Sequence, residues 1–296
     1  PYMTVDSQAT AGDDKLVALH NDASGGVGIL TAAELNGLGL TDTVSFTDVE
    51  QLDISLGEGN DQFTINSTHD RDAAFKGSSP AVRVDAGGGN DEVVVNNISD
   101  ATTIETGSGT DEIIIGQDGL VVSGIGADLT ITGSNVNSDD RVTLLNNADA
   151  GDAAASNSRD GVLTDTTISE LNMGGDINYT NVDELNVFLG GANDAFIIDS
   201  THARLTNIFG LGGNDSIGVG DINGDTLIDG GSGADRVDVL GTTNGLDSIA
   251  AKLELVGGAN ANNERDEVNI DASLASTDLI GLLTGDDALE SGLSGL

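Results

Sequence analysis

Six aspartates stand in closely similar turns: Asp61, Asp91, Asp111, Asp194, Asp215 and Asp235. Two residues before each is a glycine in five cases (Gly59, Gly89, Gly109, Gly213, Gly233), with Ala192 the exception. Four before it is again a glycine in five cases (Gly57, Gly87, Gly107, Gly190, Gly231), with Leu211 the exception. Alternate glycines permit positive φ and let backbone carbonyls turn towards a common point beside the carboxylate. Carboxylate and carbonyl oxygens, in a chain with no cysteine and only 3 histidines, are the donor set of Ca²⁺ and not of a transition metal. The bland alternative is a plain Gly–Asp turn in which the carboxylate accepts turn amides and holds no ion.

Strands must position these turns. The residue two after each aspartate is apolar: Phe63, Val93, Ile113, Phe196, Ile217 and Val237. Four after it stand Ile65, Val95, Ile115, Ile198, Val219 and Val239, and seven before it Ile54, Val84, Ile104, Val187, Ile208 and Ile228, all β-branched. β-Branched residues at period two on both sides of a Gly-rich turn read as strand, turn, strand. The turns recur at spacings of 30, 20, 21 and 20 residues within each repeat, so a coil of about 20 residues is expected. Stacked coils set like residues above one another at roughly 4.8 Å, which is parallel β pairing. The predicted fold is an all-β parallel solenoid, either a β-roll or a β-helix. In it Asp91 lies next to Asp111, and Asp194, Asp215 and Asp235 form one column.

A longer repeat encloses the short one. The segment "VSFTDVEQLDISLGEGNDQFTINSTHD" from Val44 matches "INYTNVDELNVFLGGANDAFIIDSTHA" from Ile177, 133 residues on. Downstream the offset falls to 124, and Asp14, Asp140 and Asp266 recur 126 residues apart. Residues 1–13 therefore close a preceding segment, 14–139 and 140–265 are two tandem modules, and 266–296 open a third. Each 126-residue module would hold about six coils. The motif-free segments Gly28–Leu40 and Gly161–Met173 read as a cap, bulge or short helix between solenoid blocks. His69 and His202 sit in equivalent "STH" triplets and mark the repeat, while Tyr2 and Tyr179 look single and unrelated.

Composition excludes several partners. Fifty acidic against 10 basic residues give a formal charge of −40, which repels nucleic acid and anionic membranes. No apolar run approaches the roughly 18 residues of a membrane span. About 27% of the chain is Leu, Ile, Val or Phe, above the roughly 20% below which acidic chains stay disordered. No signal peptide is visible, and a first residue other than Met suits a fragment of a longer chain.

The turns resemble the RTX repeat of secreted bacterial proteins, the nonapeptide G-G-x-G-x-D-x-U-x that binds Ca²⁺ in a parallel β-roll. "GGSGADRVD" (230–238) matches at every fixed position, and the other five miss one or two glycines. The resemblance implies Ca²⁺ ligation by the six aspartates and by carbonyls of the Gly-rich turns that hold Gly59, Gly89, Gly109, Gly213 and Gly233. It departs from the RTX pattern in carrying one motif per coil, so metal would line one edge at most. The resemblance also implies an extracellular or cell-surface protein without enzyme activity: a Ca²⁺-stabilised stalk, fibre or surface-layer component of adhesin or matrix type. Its partners would be calcium ions, further copies joined end to end, or surface polysaccharide. The contrasting class is a carbohydrate-active enzyme, a lyase or epimerase, on a parallel β-helix. That chemistry needs a cationic or Tyr base beside an acidic sugar. Dispersed Arg83, Arg141 and Arg204 supply no such cluster.

Overall fold

The computed structural model describes residues 2–6, 15–19, 25–71, 80–119, 121–134, 138–148, 161–240, 245–258, 265–271 and 273. Alternating β-branched residues make short strands, and the Gly-, Asn- and Asp-rich tetrads between them end each one. The first stretch carries β1 (Tyr2–Asp6), β2 (Lys15–Leu19), β3 (Val27–Leu30), β4 (Glu34–Gly37) and β5 (Val44–Ser45). The first block follows with β6 (Gln51–Ser55), β7 (Gln62–Ile65), β8 (Val82–Asp85) and β9 (Glu92–Val95). It continues with β10 (Thr102–Glu105), β11 (Glu112–Ile115), β12 (Leu129–Thr132) and β13 (Arg141–Leu145). A linking group comprises β14 (Gly161–Leu163), β15 (Thr167–Glu170) and β16 (Ile177–Thr180). The second block is β17 (Glu184–Gly190), β18 (Ala195–Ser200), β19 (Leu205–Leu211), β20 (Ser216–Asp221), β21 (Thr226–Asp229) and β22 (Arg236–Val239). After it come a 3₁₀ turn at Leu246–Ser248, β23 (Leu253–Val256) and β24 (Glu267–Ile270).

These strands form two long sheets, and the architecture is a parallel β-solenoid. One sheet runs β1-β2-β6-β8-β10-β12-β16-β15-β14-β18-β20-β22-β24 and the other β23-β21-β19-β17-β13-β11-β9-β7-β3-β4-β5. Pairing is parallel within the blocks, and repeat-equivalent residues sit directly opposite one another, as Ile113 does to Val93 and Ile115 to Val95. Interior positions therefore stack into ladders. Phe63, Val93, Ile113 and Val142 form one, and Ile54, Val84, Ile104, Ile131 and Tyr179 another, none more than 2% exposed. A single apolar core runs without a break from Leu30 to Val239. Each fully buried branched side chain contributes about 1.5–3 kcal/mol through the surface it removes from water.

Two expectations need correction. The coil is 20 or 21 residues only in the middle of a block, as from Glu92 to Glu112 or from Ala195 to Ser216. It widens to 30 from Gln62 to Glu92 and to 43 from Arg141 to Glu184, because turns of variable length project from a constant strand frame. The first module thus holds four and a half coils, nine sheet visits from β2 to β12, and not six. The motif-free segments are neither cap, bulge nor helix but antiparallel meanders. β3 pairs antiparallel with β4 and β4 with β5, and β14 pairs likewise with β15 and β15 with β16.

The meander also moves the start of the repeat from one sheet to the other. From β6 to β13 the chain alternates strictly between the sheets, and the three strands β14–β16 then all lie in the sheet of β6. That adds one sheet visit to an even number. The second block therefore begins in the opposite sheet, with β17 paired to β13 and not to β12. The Gly–Asp turns consequently run along one edge of the solenoid in the first block and along the other edge in the second.

Candidate functional site

Each Gly–Asp turn connects two strands that belong to different sheets, so its aspartate caps the corner of a coil. In the first block the amide of Asp61 donates to Asp91 Oδ1 at 2.8 Å, and that of Asp91 to Asp111 Oδ1 at 2.8 Å. In the second block the amide of Asp194 donates to Asp215 Oδ1 and that of Asp215 to Asp235 Oδ1, both at 2.9 Å. The structure therefore brings Asp61, Asp91 and Asp111 into one column and Asp194, Asp215 and Asp235 into a second on the opposite edge. All six are at most 5% exposed. Within a block the column keeps to one edge, and between blocks the edge changes.

The columns are longer than the motif. Asp140 accepts from the Asp111 amide at 3.2 Å, Asp183 from the Asp140 amide at 3.2 Å, and Asp266 from the Asp235 amide at 3.1 Å. Their signal was present as the aspartate that precedes "RVTLL", "ELNV" and "EVNI", without the glycines. A second ladder also escaped the motif. Asn60 Oδ1 accepts from the Asn90 amide at 2.8 Å, and Asn90 Oδ1 from the Thr110 amide at 3.1 Å. Asn193 and Asn214 serve the Asn214 and Ala234 amides in the same way, at 2.7 and 2.8 Å. Asparagine occurs just before the aspartate wherever another motif turn follows, and Thr110 and Ala234, which end the two runs, only donate.

The glycines answer a different need from the one their spacing suggested. Gly89 and Gly109 have φ of +127° and +138°. A Cβ on Gly109 would meet the Gly89 carbonyl oxygen at 1.6 Å, and one on Gly233 would meet that of Gly213 at 1.5 Å. The carbonyls thus lie over the α-carbon one coil further on and do not converge on a common point. Other turn carbonyls are engaged by amides of the next coil, Gly57 by Gly88 at 2.7 Å and Gly87 by Ser108 at 2.8 Å.

Asp91 and Asp111 each keep an acceptor oxygen to spare. Oδ2 of Asp91 and of Asp111 is buried and makes no hydrogen bond. Asp140 shows the contrast: its Oδ2 accepts from the Thr106 hydroxyl at 3.0 Å and the Ser134 amide at 2.8 Å. Ala86 and Leu56, which stand where Thr106 does relative to the motif, carry no donor. Burial pushes the Asp91 carboxyl up to about 6, helped by the Asp61 charge and opposed by the Asp61 amide. Burial likewise pushes Asp111 up to about 7, with the charges of Asp140 and Asp91 adding to it. A cavity of about 500 Å³ opens along this column, lined among others by Asp61, Asp91, Glu92 and Glu112. The carboxylate donors thus fit a hard cation, and the glycine carbonyls, which point along the column, do not. Among the described residues no three His, Cys, Asp or Glu side chains converge as a ready-made metal cluster.

The remaining candidates make contacts within the fold. His69 packs edge-on to Phe46 (6.0 Å between centroids) and His202 edge-on to Tyr179 (5.7 Å). Phe46 and Tyr179 are 133 residues apart, so Tyr179 is a repeat partner and not a single residue. Burial lowers the pKa of both imidazoles. Arg83 pairs with Glu105, Arg141 with Glu112 and Glu184, and Arg204 with Asp183. The one buried pair among the described residues joins Arg71 and Asp100 at 2.9 Å, two residues outside the Gly–Asp motif. Set against known proteins, the chain matches no family model, no curated sequence and no solved structure.

Proposed function

We propose that the chain is a structural segment of a larger extracellular or cell-surface repeat protein, a rigid stalk or fibre whose buried aspartate columns are neutralised by Ca²⁺. The reading is supported most by the unpartnered, buried Oδ2 atoms of Asp91 and Asp111, aligned one coil apart, and by the acidic cavity that Asp61, Asp91, Glu92 and Glu112 line. Buried carboxylates stacked at a strand spacing repel one another unless a proton or a cation compensates them. At neutral pH outside a cell, millimolar Ca²⁺ is the available cation of matching chemistry. Carboxylates supply the charge, and water in the cavity completes the oxygen shell that the glycine carbonyls leave incomplete.

Unfolding midpoints in chelator and in millimolar Ca²⁺, at pH 8 and at pH 5, test this. A Ca²⁺-dependent rise at pH 8 that shrinks at pH 5 is expected, because protons replace the ion. Equal midpoints with and without Ca²⁺ at pH 8 would leave the columns as plain amide-capping turns. Asp91→Asn and Asp111→Asn, which need no cation, should reduce the Ca²⁺ response.

A further inference from the structure

Among the described residues there is one complete junction between modules, and three of its four strands recur at sheet ends without the partner that they have there. At the internal junction β12 pairs in parallel with β16, Leu129 opposite Ile177, and β13 with β17, Arg141 opposite Glu184. By the repeat offsets, β23 is the counterpart of β12, β24 of β13, β5 of β16 and β6 of β17. β23 and β24 end their sheets, and β5 ends the sheet of β23 at its other extreme. Burial shows what is missing. Val142 and Leu144 are 1% and 0% exposed under β17, whereas Val268 and Ile270, at the same positions of β24, are 47% and 57% exposed.

We propose that the β23/β24 end is a docking surface for a second copy of this chain, which offers its β5/β6 end. The internal junction then repeats between chains, with Leu253 opposite Val44, Glu254 opposite Ser45, and Val268 opposite Leu52. The sheets match without rotation. One module exchanges the two sheets and a second exchanges them back, so β23 and β5 lie in one sheet and β24 and β6 in the other. The present chain shows that β6 accepts such a strand. β2, the counterpart of β13 and β24, pairs with it in parallel, Lys15 opposite Gln51, as Arg141 lies opposite Glu184. A docking copy takes the place of β2, so β1 and β2 are a cap that competes with assembly. Alternation also makes the two-module unit the true period of a long array, with Gly–Asp columns on alternate edges.

The chain has no cysteine, so a Ser45→Cys/Glu254→Cys double variant gives a clean test. Both positions are exposed, and directly opposed residues on neighbouring strands lie within disulfide reach. Under oxidation, at high protein concentration and enough salt to screen the charge, a ladder of dimers, trimers and longer species is expected. Each single variant carries one thiol and therefore stops at disulfide dimers. Removing residues 1–24 should shift the ladder to at least tenfold lower protein concentration. The test is scored only in samples whose circular dichroism shows the β fold, so failure of the Ca²⁺ proposal is read separately. Folded full-length double variant that yields no species beyond dimers overturns the proposal, whether or not the truncated chain folds. So does amide protection of Val268 and Ile270 that is independent of concentration, which would assign this end to the chain's own residues beyond 273.

Discussion

The two blocks share a turn sequence and use it differently. "STHDR" (67–71) leads from β7 to β8, and "STHAR" (200–204) from β18 to β19. In the first block Arg71 is 6% exposed, its guanidinium bonded to both oxygens of Asp100 at 2.9 Å and to the Glu50 carbonyl at 3.3 Å. In the second, Arg204 is 68% exposed and reaches Asp183 only at 3.6 Å. The cause is one coil away. Asp100 is replaced by Gly224, whose missing side chain lets the Arg204 backbone come down on it: a Cβ there would meet the Arg204 oxygen at 2.0 Å. The difference teaches that in a solenoid a residue's environment is set by the coil stacked on it more than by its own turn.

The largest expected effect follows from that contrast. Arg71→Ala leaves the Asp100 carboxylate buried without its cation, a change that costs about 3–5 kcal/mol. Arg204→Ala breaks a solvated pair and should cost less than about 1 kcal/mol. Asp100→Ala should resemble Arg71→Ala. Urea unfolding of the three variants decides the matter, and equal midpoints for Arg71→Ala and Arg204→Ala would break the comparison. Burial alone would raise the Asp100 pKa, but Arg71 and the Ala101 amide reverse it, so the carboxyl titrates below its ordinary value. Its contribution is present above the ordinary value near 4 and is lost as pH falls through the lower folded value.

Next in size are the glycines whose α-carbon touches the preceding coil. Gly109→Ala and Gly233→Ala force a Cβ into a carbonyl and demand a positive φ, together about 2–4 kcal/mol each. Gly191→Ala meets nothing within 4 Å and should be neutral to slightly stabilising. Differential scanning calorimetry checks the order. Ala192 obeys the same rule: it opens the second column, so no motif turn stacks on its Cβ side, and alanine is tolerated there.

The columns and the strand frame were legible in the sequence because stacking repeats one environment, so periodic β-branched residues and Gly–Asp spacing report directly on sheet register. Three things were not legible, each for a physical reason. The meanders depend on pairing between segments such as Leu163 and Ile168 that have no period of their own. The exchange of sheets depends on the parity of sheet visits, which no local pattern carries. The purpose of the glycines depends on the neighbouring coil, so their spacing suggested carbonyls aimed at an ion when the contact is between stacked backbones. Asn60, Asn90, Asn193 and Asn214 were visible as part of "ND" but yield their role only when the amide one coil later is in view.

A smaller effect separates the carboxylates with a spare oxygen from Asp140, in the same column, whose Oδ2 is used. Asp91 and Asp111 have folded pKa values raised to about 6 and about 7. A raised carboxyl value means that the fold prefers the protonated form. In chelator, stability is therefore highest below about pH 4 as far as these groups are concerned, and falls as pH rises through 6 to 7. A drop of ~3–5 °C in melting temperature between pH 5 and pH 8 is expected, which for a chain of this size is ~1–2 kcal/mol. Placing a hydroxyl where Asp140 has one sharpens the comparison: Ala86→Thr mimics Thr106 and should flatten that slope. A slope unchanged by Ala86→Thr would show that the missing donor is not what raises Asp111, the carboxyl one coil on.

The smallest expected effect concerns Leu211, which holds φ of +70°. Its first-block counterpart, 124 residues earlier, is Gly87 with φ of +92°, and its neighbour one coil on is Gly231 with φ of +90°. The turn thus imposes a left-handed backbone at this position, and a γ-branched residue pays roughly 1–2 kcal/mol to adopt it. The side chain recovers little, being 38% exposed. Its carbonyl still performs the turn's work, accepting from the Ser232 amide at 3.0 Å. Leu211→Gly removes the strain and keeps that bond, but gives the unfolded chain more freedom, which offsets about 0.5–1 kcal/mol. A net gain of ~0.5–1 kcal/mol is expected, read as a rise of ~1–3 °C in melting temperature. The reverse change in the other block, Gly87→Leu, meets the Gly57 carbonyl oxygen at 2.0 Å from its Cβ and should lose several times as much. If Leu211→Gly destabilises the chain instead, the exposed leucine is holding a contact that its position at the coil corner does not account for, and the two blocks differ at this corner in more than backbone strain.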